Sequence, residues 1–147
     1  MKKNFTIIAA GGLGTRLKNY KNNEYTKVLI PIGLTSMISQ QIKQLKNWGY
    51  DNIVIVTNPD YDKLIKEDVK GNFPNENIEF VIQSEQLGIA HALKQAEPVI
   101  DKGSQISFIL GDNFFGVNPF ANNKSIYSDN SAALVLKKVN NPEDFGV

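Results

Sequence analysis

Ile7-Ile8-Ala9-Ala10-Gly11-Gly12-Leu13-Gly14-Thr15-Arg16-Leu17, followed by Thr26-Lys27-Val28-Leu29-Ile30-Pro31, decides how this chain reads. The apolar run at its start predicts a buried strand, and the glycines after it predict a turn whose backbone N–H groups stand bare. Such donors cradle an anion, and Arg16 and Lys27 bring the charge to neutralise it. The stretch reads as a phosphate site.

Two common phosphate loops do not match it. A Walker-type loop places Lys-Ser or Lys-Thr directly after its last glycine, whereas Gly14 is followed by Thr15-Arg16. A dinucleotide fold places an acid for the ribose near the end of its second strand, where this chain runs from Asn52-Ile53-Val54-Ile55-Val56-Thr57 into Asn58-Pro59. Gly11-Gly12-Leu13-Gly14-Thr15-Arg16-Leu17 with Lys27 and Pro31 instead resembles the signature of sugar-1-phosphate nucleotidylyltransferases, which make nucleotide sugars from a nucleoside triphosphate. That family commonly carries Pro-Lys where this chain has Thr26-Lys27. The difference keeps the charge, and it leans toward the glucose-1-phosphate thymidylyltransferase branch, where Ser-Lys is familiar.

Composition sets the bounds. With 147 residues, 41% of them hydrophobic, the chain has the size of one globular domain, 1–147, able to bury roughly 68–70% of its unfolded surface. The net charge is +1 and the cations are scattered among acids, so no nucleic-acid footprint is expected. Cysteine is absent, which excludes disulfides and thiolate metal sites. The basic start Met1-Lys2-Lys3 leads into an apolar run that stops at Gly11-Gly12, too short for a signal peptide or a span. A soluble, cytoplasmic protein with no membrane partner is expected.

Strand-like runs recur at residues 5–10, 53–57, 78–83, 106–110 and 132–139 with helix-like segments between most of them, an alternation that predicts an α/β layer structure with a mostly parallel sheet. Ile38, Ile42, Leu45 and Trp48 recur at helical spacing; Thr35 or Ser36 serves as the cap and Gly49 as a left-handed end. Residues 61–69 and 89–97 predict two further helices, the last weakened by Pro98. Residues 122–130 read as a polar loop. The turn at 140–146 leads toward a further strand at the chain's end, so the domain reads as truncated. Half a sheet leaves an apolar edge, from which self-association into a homo-oligomer is expected.

Three later motifs carry the resemblance to the last residue. Gln83-Ser84-Glu85-Gln86-Leu87-Gly88-Ile89-Ala90-His91-Ala92 follows the third strand. In the family this turn reads the base: a glutamine bonds the pyrimidine edge and a glycine lets backbone approach the ring, which points to Gln83 and Gly88. An amide supplies donor and acceptor together, which suits that task. His91, the only histidine, reads as a scaffold residue of the following helix and is left out of the site. Leu110-Gly111-Asp112-Asn113 resembles the segment whose aspartate binds Mg²⁺; Asp112 would sit at the carboxyl end of a strand, where open α/β sheets bind ligands. The turn at 140–146 resembles one whose glycine meets the sugar, here Gly146, with Phe145 in place of the usual tyrosine.

The resemblance implies a three-layer α/β/α Rossmann-like fold, equivalent to the amino-terminal half of such an enzyme. It implies nucleotidyl transfer from dTTP or UTP to a sugar-1-phosphate, with Mg²⁺ as cofactor. Arg16 and Lys27 would act on the reacting phosphates, and Gly11, Gly12, Gly14, Thr15, Gln83 and Gly88 would bind nucleotide. The family's later lysine and second metal aspartate would lie beyond Val147, so turnover by this chain alone is not expected. The rival reading is a non-catalytic nucleotide-binding or regulatory module of the same fold; such modules lose the arginine, lysine or aspartate that this chain retains at Arg16, Lys27 and Asp112.

Overall fold

β1, Asn4–Ala9, is apolar or β-branched at every position after Asn4, with Phe5 to Ile8 buried. A strand of that kind fits only in the middle of a sheet covered on both faces. The computed structural model, which describes residues 3–12, 14, 26–121, 132–136 and 138–141, places it there. Along the chain follow β2 (Pro31–Ile32), β3 (Thr35–Ser36), α1 (Met37–Asn47), β4 (Asn52–Thr57), α2 (Asp62–Asn72), β5 (Ile78–Ile82), α3 (Ile89–Gln95) and β6 (Gln105–Leu110). The main sheet has the order β5-β4-β1-β6, every pair parallel. Ile7 stands opposite Val54 on one side and Phe108 on the other. β2 and β3 form a small antiparallel hairpin that sequence periodicity did not reveal, being too short to show a period.

Side chains alternate across the sheet, which divides the core in two. Phe5, Ile7, Val54 and Val56 meet Ala92 and Ala96 at α3, with Val81, Val99, Ile100 and Phe108 packed around them. Ile8, Ile53 and Ile55 bury on the opposite face, together with Ile38, Ile42 and Leu45 of α1 and Ile65 and Val69 of α2. This is the expected α/β/α layering.

The first expected helix is found. Ser36 caps it, its side chain accepting from the Ser39 N–H, and Gly49 beyond its end has φ +83. Ser36 and Ser39 hydroxyls also donate to Asp68, which ties α1 to α2. α2 runs one turn past the expected Val69, carries Gly71 inside it, and stops before Pro74. α3 ends earlier than expected, because Pro98 belongs to a separate 3₁₀ turn, Glu97–Val99.

By its contacts the chain divides into two units, Met1–Phe114 and Phe115–Val147. The strand expected at 132–139 is not formed by its described residues, and Leu134 and Leu136 are largely exposed. Apolar alternation makes a strand only where a neighbour accepts its backbone bonds, and among the described residues none pairs here. The expected loop at 122–130 and the turn at 142–146 lie outside the described residues.

At the start of α2, Thr57 Oγ1 donates to Asp62 (2.6 Å) and Lys66 Nζ donates to its other oxygen (2.7 Å). Burial pushes the Asp62 carboxyl up, but the bonds from Lys66 and Thr57 and the Lys66 charge outweigh it and hold the group below its ordinary value. A depressed carboxyl contributes stability above its unfolded-state value and loses it as pH falls through the folded one. Asp62→Asn is therefore expected to cost about 1 kcal/mol at neutral pH. Urea denaturation should show the difference from the unaltered chain shrinking as pH drops through the carboxylate range.

Candidate functional site

From β1 the chain first adds β4 and β5 on one side, then returns through α3 to lay β6 on the other. The order reverses between β1 and β6, and in open parallel sheets the crevice beyond the strand ends at such a reversal is where ligands bind. A cavity of about 490 Å³ lies there, lined by Ala10, Gly12, Lys27, Gln83, Gly88 and Asp112 among others. Three backbone bonds continue the ladders past the strand ends: Ala10 N–H to Val56 O, Gln83 N–H to Thr57 O and Gly111 N–H to Ala9 O, each 2.8 Å. They bring the three motifs, far apart in sequence, to one rim.

Gly11 is buried, and its carbonyl accepts from Asn58 Nδ2 (2.8 Å) and Gln86 Nε2 (3.1 Å). A Cβ there would stand 3.1 Å from Thr57 O and 3.4 Å from Gln83 Oε1, so glycine is what lets Gln83 approach. Gly12 has open space where a side chain would be, and Gly14 turns through φ +59. Thr15 and Arg16, both expected at this loop, lie outside the described residues, as does Gly146.

Lys27 opens a 3₁₀ turn, Lys27–Leu29, anchored by buried Thr26, Val28 and Leu29. Its ammonium stands 2.6 Å from Asp112 Oδ2, across 85 residues of sequence. Both side chains are partly exposed, 44% and 34%, and a pair so placed is worth only about 0–1 kcal/mol. An anion and a divalent cation arriving together would each find one partner and part the two at little cost. Among the described residues no group of three or more His, Cys, Asp or Glu gathers to hold a metal. Asp112 fits Mg²⁺ in the manner of nucleotide sites, where one or two carboxylates suffice and substrate phosphates complete the shell.

Gln83 is buried, its Nε2 reaching Gly88 O at 3.3 Å and His91 Nδ1 at 3.1 Å. Gly88 holds φ +94 at the start of α3. The expected base-reading residues therefore sit side by side, and His91, expected to be scaffold, touches one of them. Asn58, Gln86 and Gln41 are further participants that the sequence reading did not assign. Gln41, buried in α1, donates to Leu110 O (2.9 Å) and Asn113 O (2.8 Å) and so braces the turn that carries Asp112. Only Asn58 left a signal, as the polar residue closing the β4 run before Pro59.

Known proteins resemble this chain over most of its length. A family model described as nucleotidyl transferase matches residues 5–147. A mannose-1-phosphate guanyltransferase of Saccharomyces cerevisiae is 31% identical over 146 residues, 96% of this chain and 40% of that protein. The bifunctional protein GlmU of Francisella tularensis subsp. novicida is 29% identical over 141 residues, 95% of this chain and 29% of its own length. A crystal structure from Bacillus anthracis, assigned as a glucose-1-phosphate thymidylyltransferase in complex with a sucrose, superposes with TM-score 0.70 at 29% identity over 78% of this chain and 46% of that one. The chain thus spans less than half the length of each of these three.

Gly111 has the tightest surroundings in the site. An added Cβ would stand 2.8 Å from Val28 Cγ1, 3.0 Å from Ala9 O and 3.4 Å from Ala10 Cα. Val28 is itself buried, and the Ala9 carbonyl is fixed by the bond it accepts from Gly111. Gly111→Ala is expected to destabilise the fold by about 1–3 kcal/mol, read by chemical denaturation; a change within a few tenths would show that the rim yields.

Proposed function

The chain belongs to the nucleotidyl transferase family, and from that premise we propose that residues 1–147 form the nucleotide-binding half of an enzyme that transfers a nucleotidyl group from a nucleoside triphosphate to a sugar-1-phosphate. The observation that carries this is the convergence of the glycine turn, the Lys27–Asp112 pair and Gln83 on one cavity at the sheet's reversal point. In the reaction an oxygen of the sugar phosphate attacks the α-phosphorus in line, a new P–O bond forms, the bond to the β-phosphate breaks, and pyrophosphate leaves.

Such a reaction needs positioning and charge neutralisation more than covalent help. Gly12 and Gly14 leave room for phosphate oxygens, and Gly11, pinned through its carbonyl, sets the direction of the turn. Lys27, released from Asp112, offsets charge on the reacting phosphates. Mg²⁺ held by Asp112 and triphosphate oxygens would neutralise more of that charge. Thr15 and Arg16 take their roles at the phosphates, and Gly146 its role at the sugar, from sequence resemblance. Gln83 and Gly88 hold the base, for which dTTP or UTP is proposed because the amide matches the donor-acceptor edge of those rings. Among the described residues no helix is long and apolar enough to cross a membrane, and the cytoplasm, where nucleoside triphosphates are made, is the proposed setting.

Isothermal titration of this chain with dTTP, UTP, ATP and GTP in the presence of Mg²⁺ tests the reading. Binding with a pyrimidine preference is expected; a purine preference overturns the base, and no binding at all overturns the function. In the complete protein Lys27→Ala should lower turnover by about 10²–10³, comparable to losing one preorganised donor at a charged transition state. Near-normal pyrophosphate release would reject its role.

A further inference from the structure

His91 occupies a position that its helix does not explain. Its Nδ1 lies 3.1 Å from Gln83 Nε2 and 3.0 Å from the Glu85 carbonyl, and its Nε2 lies 3.0 Å from Gln95 Nε2. A neutral imidazole has one N–H and one lone pair. Gln83 Nε2 only donates and Glu85 O only accepts, so Nδ1 satisfies one of them and not both.

The surroundings decide which. Glu85 O already accepts from the Leu87 N–H at 3.0 Å, and Glu85 is exposed to water. Gln83 is 4% exposed, and an unpaired donor left there costs the full desolvation of that group. Nδ1 is therefore the acceptor and Nε2 carries the proton, which requires the half-buried Gln95 amide to turn about so that Oε1 replaces Nε2 as its partner. Gln83 Nε2 then spends one hydrogen on Nδ1 and one on Gly88 O, and its Oε1 is left on the Gly11 side, in the wall of the cavity.

Resting on the nucleotide-binding reading above, we propose that His91 is a positioning residue for base choice: by accepting from Gln83 Nε2 it holds Oε1 toward the base, so the site selects rings that offer an N–H at that point. Uracil and thymine offer one at N3. Cytosine presents a bare ring nitrogen there and meets acceptor with acceptor. Were Nδ1 protonated, it would donate to the Glu85 carbonyl instead and leave Gln83 Nε2 held by Gly88 O alone. The choice between two bases thus lies with a residue that need not touch either of them.

Because His91 is the only histidine, its tautomer is readable in the unaltered chain by long-range proton–nitrogen NMR of a single imidazole. Nδ1 is expected to be the unprotonated nitrogen; a protonated Nδ1 overturns the proposal. Titration with UTP and CTP supplies the second readout. His91→Phe is expected to reduce the UTP-over-CTP preference by roughly 3- to 10-fold, the worth of one hydrogen bond. His91→Asn, whose Oδ1 falls near the Nδ1 position, should restore it. Equal weakening of both nucleotides by His91→Phe, or no change in their ratio, overturns the role of His91 alone. Failure of the unaltered chain to bind any nucleotide overturns the reading beneath it, whatever the tautomer.

Discussion

The burial of β1 on both faces and both edges is the constraint on which everything else depends. A strand with Ile7 and Ile8 wholly enclosed needs a helix layer above, another below, and a hydrogen-bonded neighbour on each side. Parallel neighbours place all their carboxyl ends along one edge. Residues that leave β1, β5 and β6 therefore meet there whatever their separation in sequence, and the cavity is the gap left where the strand order reverses. Glycine is favoured at Gly11 and Gly111 on that edge because Thr57 O and Ala9 O stand against the space that their side chains would need.

The rim is held in shape mostly by neutral amides. Asn58 and Gln86 grip one carbonyl, Gln41 grips two more, and Gln83 spans Gly88 and His91. Each of these bonds fixes a carbonyl of the rim, and rearranging one amide leaves its partners unpaired. The Lys27–Asp112 ion pair is different. Lys27 and Asp112 are partly open to water, bonded weakly in net terms, and free to change partners. A rigid neutral frame around two exchangeable charges is suited to a ligand that brings both an anion and its metal.

Local elements were legible where one pattern stood alone. The α1 stripe of Ile38, Ile42 and Leu45 lies between a serine cap and a glycine with positive φ, and no competing period interrupts it. The apolar runs of β1 and β4 are long enough to allow nothing but buried strands. Residues 132–139 show the limit of that reasoning, since apolar character promises a strand but does not supply the partner. The hairpin of β2 and β3 was invisible for the opposite reason, two residues a side being a single period, with no repeat to detect.

By itself the sequence determined the layer architecture and singled out the glycine turn with Lys27, Gln83, Gly88 and Asp112, which line one cavity, because periodicity and short motifs are properties of neighbouring residues. Only the tertiary structure decided that Lys27 meets Asp112, that Asn58 and Gln86 hold the Gly11 carbonyl, and that His91 lies against Gln83. Those contacts join different strands' ends, most of them across tens of residues. Which side chains face one another there depends on strand order and register, and these are settled by burying the whole sheet at once.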